Sequence, residues 1–136
     1  MAMNMIYPYN RERTRERQVP VGTQAGTPLL INSRPCVAVT SRGDATASKT
    51  LADGTVIVRN VGMSTGTAFD SATVAFDGTW ELAIASIPTN TAQDTPVYIT
   101  SGNVLTLVST ANTAFGFTDY PRDYTKTVGI APVRIF

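Results

Sequence analysis

The side chains that carry out most enzyme chemistry are scarce in this sequence. It has no histidine, one cysteine and ten scattered carboxylates. A serine or cysteine nucleophile needs a base, most often histidine, and neither a nucleophile elbow nor a phosphate-binding glycine loop is present. Asp119 and Asp123 are close in sequence but lack the further oxygen ligands that a calcium site needs. The sequence therefore predicts no catalytic residue, no metal site, no cofactor and no enzymatic activity.

Two side chains that could have a special role are better explained by packing. Cys36 lies in the apolar run Pro35–Val39, where a free cysteine behaves as a small hydrophobic residue. Trp80 begins a strand after a turn and is predicted to lie in the core. The alternative for Trp80 is an exposed anchor of a carbohydrate-binding platform, although such platforms usually recruit several aromatic residues.

Composition limits the class of protein further. A chain of 136 residues with 43% hydrophobic residues supports one domain with its own core. Only 15% of the residues are charged and 21 are threonine, a β-branched residue that favours strands. The net charge of +1 provides no field to recruit nucleic acid or an anionic membrane. No apolar run approaches the ~20 residues that span a bilayer.

From residue 19 onward, short apolar runs separated by turn residues predict about nine strands. These are Leu29–Ile31, Cys36–Thr40, Thr55–Arg59, Ser71–Phe76, Thr79–Ala85, Val97–Thr100, Val104–Val108, Ala114–Thr118 and Pro132–Ile135. Asp53-Gly54 and Asp77-Gly78 suit tight hairpins, as does the Ser101–Asn103 turn. Ser41–Leu51 is predicted as a loop with one helical turn near Lys49. The pattern predicts an all-β fold, either a small β-barrel or a β-sandwich.

Residues 1–18 differ in composition from the body formed by residues 19–136. They place arginines at alternate positions, with glutamates between them, and carry a net charge of +2. An extended conformation points all four arginines to one side, whereas a helix places them as like-charge i,i+4 pairs, which disfavours it. The segment is either a frayed terminus or an extended arm that becomes ordered on a neighbouring subunit. An RNA-binding arm is a third reading, weakened by the interleaved glutamates.

Tyrosine and arginine side chains anchor many protein interfaces, and they concentrate in two parts of the chain. One part is the arm, and the other is the loop of residues 119–129; the loop of residues 60–70, with Phe69, is a weaker candidate. The predicted interface residues are Tyr7, Tyr9, Arg11, Arg13, Arg15, Arg17, Tyr120, Arg122 and Tyr124.

Several short motifs follow one another along residues 20–135. They are Val21–Pro28, Cys36–Thr40, Asp77–Ala83, Thr95–Tyr98, Leu105–Thr106, Phe115–Phe117 and Val133–Ile135. Their order resembles that of the small capsid cement (decoration) proteins of tailed phages. The long arm and the extended 119–129 loop depart from the family pattern.

The resemblance implies a structural virion protein on the outer surface of the phage head. Its partner is then the major capsid protein, and it forms a homotrimer without binding nucleic acid or membrane. The alternative is a carbohydrate- or receptor-binding β-module of a phage tail or fibre.

Overall fold

The computed structural model describes residues 4–7, 14–62 and 68–135. The fold of this part of the chain is all-β, with strands joined by turns and loops and no helix. The strands are β1 (Met5–Tyr7), β2 (Thr14–Gln18), β3 (Pro28–Ile31), β4 (Arg34–Ala38), β5 (Ala45–Thr50), β6 (Val56–Gly62), β7 (Ser71–Ala75), β8 (Gly78–Ala83), β9 (Pro96–Ile99), β10 (Leu105–Thr106), β11 (Thr113–Thr118) and β12 (Ile130–Ile135). The described residues include no helix long and apolar enough to cross a membrane.

The strands form two antiparallel sheets and a separate hairpin. The large sheet has the strand order β1-β8-β12-β11-β9-β10, and the small sheet has the order β2-β7-β4-β3. Among the described residues, β5 and β6 pair only with each other. Neither sheet closes into a barrel within the described residues, so the architecture is that of a small β-sandwich.

The main core lies between the two sheets. Its residues alternate along the strands with residues that face outward, as a half-buried sheet requires. The large sheet contributes Trp80, Leu82, Val97, Phe115 and Val133, and the small sheet contributes Val37 and Ala75. The Trp80 indole N–H donates to the carbonyl of Asp77 at 3.0 Å. The prediction that Trp80 is a core residue is confirmed.

A second apolar cluster lies on the other face of the small sheet. It contains Val19, Leu29, Cys36, Ala38, Ala72, Val74 and Phe76. Cys36 is fully buried there and is a free thiol, as predicted from its apolar run. The small sheet therefore has a buried layer on both faces.

The nine predicted strands are all present, with ends shifted by a few residues. The Ser101–Asn103 turn joins β9 to β10 as predicted, with Asn103 at φ +62°. The prediction of a loop over Ser41–Leu51 was wrong, because Ala45–Thr50 forms β5. Its side chains are exposed in the described structure, and backbone pairing with β6 makes this segment a strand.

The two Asp-Gly turns have different roles. Gly54, at φ +88°, closes the β5–β6 hairpin, and the Gly54 N–H donates to the carbonyl of Leu51 at 3.0 Å. At Asp77-Gly78 the chain instead passes from the small sheet to the large one, since β7 and β8 lie in different sheets. The expectation of a hairpin at that second site was wrong. Gly78, at φ +94°, provides the sharp change of direction.

The described parts of residues 1–18 belong to the sheets of the same chain. β1 pairs with β8, and β2 pairs with β7 along its whole length. The Asn4 side-chain amide also donates to the carbonyl oxygens of Gly26 and Glu81, at 3.2 and 2.9 Å. This differs from the expectation that the segment becomes ordered only on a neighbouring subunit. Its backbone groups find partners on the free edges of both sheets.

Candidate functional site

Three arginines share the outer face of the small sheet. Arg15 and Arg17 of β2 lie opposite Val74 and Ala72 of β7, and directly paired residues of antiparallel strands point to the same face. Arg34 of β4 lies on this face as well, two residues before Cys36. All three side chains are exposed. We call Arg15, Arg17 and Arg34 the arginine face.

Arg34 is held over the apolar cluster beneath this face. Its guanidinium carbon lies 4.1 Å from the centre of the Phe76 ring, within the range of a cation–π interaction. The pKa of the nearby Cys36 thiol reflects both the apolar cluster and the arginines above it. Burial raises the pKa of Cys36 to about 12, although the positive charges of Arg34 and Arg17 oppose that rise. Two of the arginines are thus close enough to Cys36 to affect its ionisation.

The alternation of β2 separates its positive and negative charges. Glu16 lies opposite Thr73, on the other face from Arg15 and Arg17. From the sequence, the glutamates between the arginines were expected to weaken the positive electrostatic field of this segment. In the strand, the Glu16 side chain points away from the face that carries Arg15 and Arg17. The arginine face is therefore suited to carboxylates or other anions of a partner.

The loop of residues 119–129 is fastened to the large sheet by side-chain contacts. The Tyr124 hydroxyl donates to a carboxylate oxygen of Glu81 at 2.9 Å, and the Tyr120 and Tyr124 ring centres are 5.7 Å apart. Lys126 donates to the carbonyl of Thr91 at 2.7 Å, and its ammonium nitrogen lies 4.4 Å from the centre of the Tyr120 ring. Tyr120 also packs against the main core.

Both tyrosines have pKa values above the ordinary value. Partial burial is the main cause for each. The pKa of Tyr124 rises to about 12, because the Glu81 carboxylate also accepts its proton in a hydrogen bond and repels the phenolate. Both phenols are neutral at physiological pH. They stabilise the loop through the Tyr124 hydrogen bond and the packing of Tyr120 against the main core.

The carboxylate that begins this loop has partners within the fold. The Thr79 hydroxyl donates to Asp119 Oδ2 at 2.9 Å, and the Gln93 amide approaches Asp119 Oδ1 at 3.3 Å. No group of three or more potential metal-ligating side chains occurs among the described residues. Asp119 therefore holds the loop to β8 and to the preceding turn.

The predicted interface residues fall into three groups. Arg15 and Arg17 lie on one face of the small sheet, together with Arg34, which was not predicted. Tyr120 and Tyr124 are in contact in the loop of residues 119–129, and Arg122 of the same loop is exposed. Tyr7 lies in β1 opposite Thr79. Tyr9, Arg11 and Arg13 lie outside the described residues, as do residues 63–67 of the weaker candidate loop of residues 60–70.

Sequence reasoning missed Arg34 and Glu81 as members of these groups. Arg34 joins the arginine face only through the β2-β7-β4 strand order, which has no local signal. Glu81 meets Tyr124 from 43 positions away. Alternation along β4 could have predicted one part of this arrangement. Arg34 is two positions before the buried Cys36, so both side chains lie on the same side of the sheet.

Comparison of the chain with protein-family models, with curated proteins and with solved structures finds no match in any of the three.

Proposed function

We propose that this protein is a capsid cement protein of a tailed phage, which binds the outer surface of the mature head and stabilises the major capsid lattice. The observation that supports this most is the arginine face, an exposed cationic surface built on a β-sheet. The order of short motifs along the sequence points to the same family. A homotrimer around a capsid symmetry axis fits that role.

The arginine face would pair with carboxylates of the major capsid protein. One exposed arginine–carboxylate pair contributes only about 0.2–1 kcal/mol, so three such pairs give weak binding at one site. Many copies on one lattice make the total stabilisation large. Ligands that bind only the mature lattice stabilise it by mass action, without any reaction. Because surface charges are screened by salt, this binding is expected to weaken as ionic strength rises.

The test is binding of the purified full-length protein to expanded heads that lack it. The variant Arg17→Ala/Arg34→Ala removes two charges from the arginine face, and Lys49→Ala/Arg59→Ala removes two from the β5–β6 hairpin as a matched control. We expect the first variant to bind heads less tightly and the control to bind as the wild type does. Equal loss in both variants would show that only net charge matters and would contradict the role of the arginine face.

Copy number separates this proposal from a carbohydrate- or receptor-binding tail module. A cement protein is present in hundreds of copies in each virion, whereas a tail module is present in a few. The burial of Trp80 removes the one tryptophan that could form a sugar-binding platform. A handful of copies per virion would overturn the proposal.

A further inference from the structure

Strand β2 lies at one edge of the small sheet, and no other described strand pairs with its outer side. The hydrogen bonds to β7 show which backbone groups point outward. The Val19 N–H donates to the carbonyl of Asp70 at 3.1 Å, so backbone groups in step with Val19 face β7. Within β2 these are the groups of Arg15 and Arg17. The N–H and C=O of Glu16, between them, therefore point away from the sheet.

The hydrogen bonds on the other side of β7 support this assignment. There the carbonyl of Ser71 accepts from the Gly43 N–H at 2.9 Å, and the carbonyl of Thr73 accepts from the Val39 N–H at 2.8 Å. Thr73 lies opposite Glu16, and its carbonyl is directed away from β2. No described residue is therefore in position to bond the two backbone groups of Glu16.

The Arg15 side chain lies along this free edge. Its guanidinium donates to the carbonyl of Thr14 at 2.6 Å. That carbonyl points outward, because Thr14 is two residues from Glu16. Arg17 follows on the same face of the sheet as Arg15. Two cationic side chains thus accompany the outward backbone groups of Glu16.

Charge disfavours pairing of this edge with the same edge of a second copy. An antiparallel pair of β2 strands would place Glu16 opposite Thr14, Glu16 or Gln18 of the second copy. Each of these registers brings an arginine directly opposite an arginine, which is unfavourable. Charged residues on edge strands commonly prevent such self-association. The edge therefore favours a strand of different sequence, with negative charges opposite the arginines.

We propose that β2 binds an extended acidic segment of a partner protein, which adds to the small sheet as an antiparallel strand. The central residue of the segment exchanges two backbone hydrogen bonds with Glu16. The residues on either side of it lie opposite Arg15 and Arg17 and carry carboxylates. The central residue is neutral, because it shares a face with the Glu16 side chain. The partner is the major capsid protein if the proposed function holds, and to that extent the assignment rests on it.

Peptide binding to the full-length protein at low ionic strength tests this pattern. The probe is a fluorescent peptide with the core Thr-Glu-Thr-Glu-Thr, and the control has the core Thr-Glu-Glu-Thr-Thr, which has the same charge. Fluorescence anisotropy should show about tenfold tighter binding of the alternating peptide. N-methylation of its central threonine removes the N–H that would donate to Glu16, and binding should weaken. Equal affinities for the three peptides would show that only charge is recognised and would overturn the proposal.

Two arginine variants separate strand addition from contact with the whole arginine face. Arg17 lies on the edge strand, whereas Arg34 lies on β4, two strands from the free edge. We expect Arg17→Ala to weaken binding of the alternating peptide by about fivefold, and Arg34→Ala to change it by less than about twofold. Equal loss in the two variants would contradict binding along the β2 edge.

A backbone variant tests the same contact from the side of the protein. Glu16→Pro removes the outward N–H, and Glu16→Ala keeps it. Proline is tolerated on edge strands where its nitrogen faces outward. We expect only Glu16→Pro to lose preference for the alternating peptide. Thermal melting shows whether this variant is folded, and the N-methylated peptide provides the same test with the wild-type protein if it is not.

The peptide assays contain no heads, so their failure is distinct from failure of the cement proposal. If the peptides do not bind but Arg17→Ala/Arg34→Ala still weakens binding to heads, strand addition is wrong and the cement proposal stands. If the alternating peptide binds as expected but the double variant binds heads as the wild type does, the edge recognises acidic strands and the proposed contact with the capsid is wrong.

Discussion

The Tyr124 hydroxyl donates to the Glu81 carboxylate at 2.9 Å, joining the loop of residues 119–129 to strand β8 over a separation of 43 residues. Glu81 lies on the outward side of β8, between the buried residues Trp80 and Leu82. The Tyr124 hydrogen bond therefore attaches the loop to a strand that contributes Trp80 and Leu82 to the main core. Tyr124 has a structural role in addition to any contact with a partner.

Replacing Tyr124 with phenylalanine removes this hydrogen bond and keeps the ring. We expect the free energy of unfolding to fall by about 0.5–1.5 kcal/mol, the usual net value of one intramolecular hydrogen bond. Denaturant titration followed by tryptophan fluorescence measures the change. Arg122→Ala is the matched control, because Arg122 is exposed in the same loop, and its effect should stay within about 0.5 kcal/mol.

Alkaline pH should destabilise the fold through Tyr124. Its pKa rises from 10.0 to about 12 in the folded protein, so the folded state keeps this proton at pH values where the unfolded state loses it. The resulting stability is complete below pH 10 and is lost as pH rises to about 12. Urea midpoints measured across this window should fall, and less steeply in Tyr124→Phe. A residual slope is expected from Cys36, whose pKa is also raised to about 12.

Cys36 should resist thiol reagents in the native protein. Its side chain is fully buried, and its raised pKa leaves almost no thiolate near neutral pH. Labelling followed by mass spectrometry is expected to be slow in buffer and fast in concentrated denaturant. Rapid labelling of the native protein, at the rate of a small-molecule thiol, would contradict the described packing of the small sheet.

Gly116 has no room for a side chain. It lies in β11 opposite Ile135, and an added Cβ would collide with the backbone carbonyl of Arg134. We expect Gly116→Ala to cost about 1–3 kcal/mol of stability, because neither strand can move without disturbing the core. Gly102→Ala is the control, since the nearest atom to its added Cβ is 3.8 Å away. Equal melting temperatures for the two variants would refute the close approach of β11 and β12.

Deleting residues 1–18 should destabilise the sandwich. The deletion removes β1 and β2, and it exposes the edges of β8 and β7. We expect a lower melting temperature and a less compact protein by small-angle scattering. The full-length chain with Arg17→Ala is the control for loss of charge. An unchanged melting temperature in the deletion variant would show that residues 1–18 do not contribute to the stability of the sandwich.

The strands with apolar residues at alternate positions could be predicted from sequence, and β1, β2 and β5 could not. β2 has the sequence Thr-Arg-Glu-Arg-Gln and β5 has the sequence Ala-Thr-Ala-Ser-Lys-Thr, so neither shows an apolar face. Both are strands because their backbones complete a hydrogen-bonded ladder beside β7 or β6. Pairing between distant backbone segments leaves no local pattern in the sequence.

The candidate surfaces could be predicted only in part, because contacts between distant segments also decide which side chains lie together. The residue types were informative, since Arg15, Arg17, Tyr120 and Tyr124 all lie on the two surfaces described. Their neighbours were not predictable, because strand order brings Arg34 to the first surface and a long-range contact brings Glu81 to the second. Sequence indicates which side chains favour contact, and the topology decides which of them are together.

The closed base of the β5–β6 hairpin has a practical consequence. Gly43 and Asp70 are joined by one hydrogen bond, so the two points where the hairpin leaves and re-enters the sandwich are adjacent. Segments of different length can be exchanged there without moving β4 or β7. The hairpin tip around Asp53-Gly54 is accordingly a natural place to graft a foreign peptide, an epitope or an affinity tag onto this scaffold.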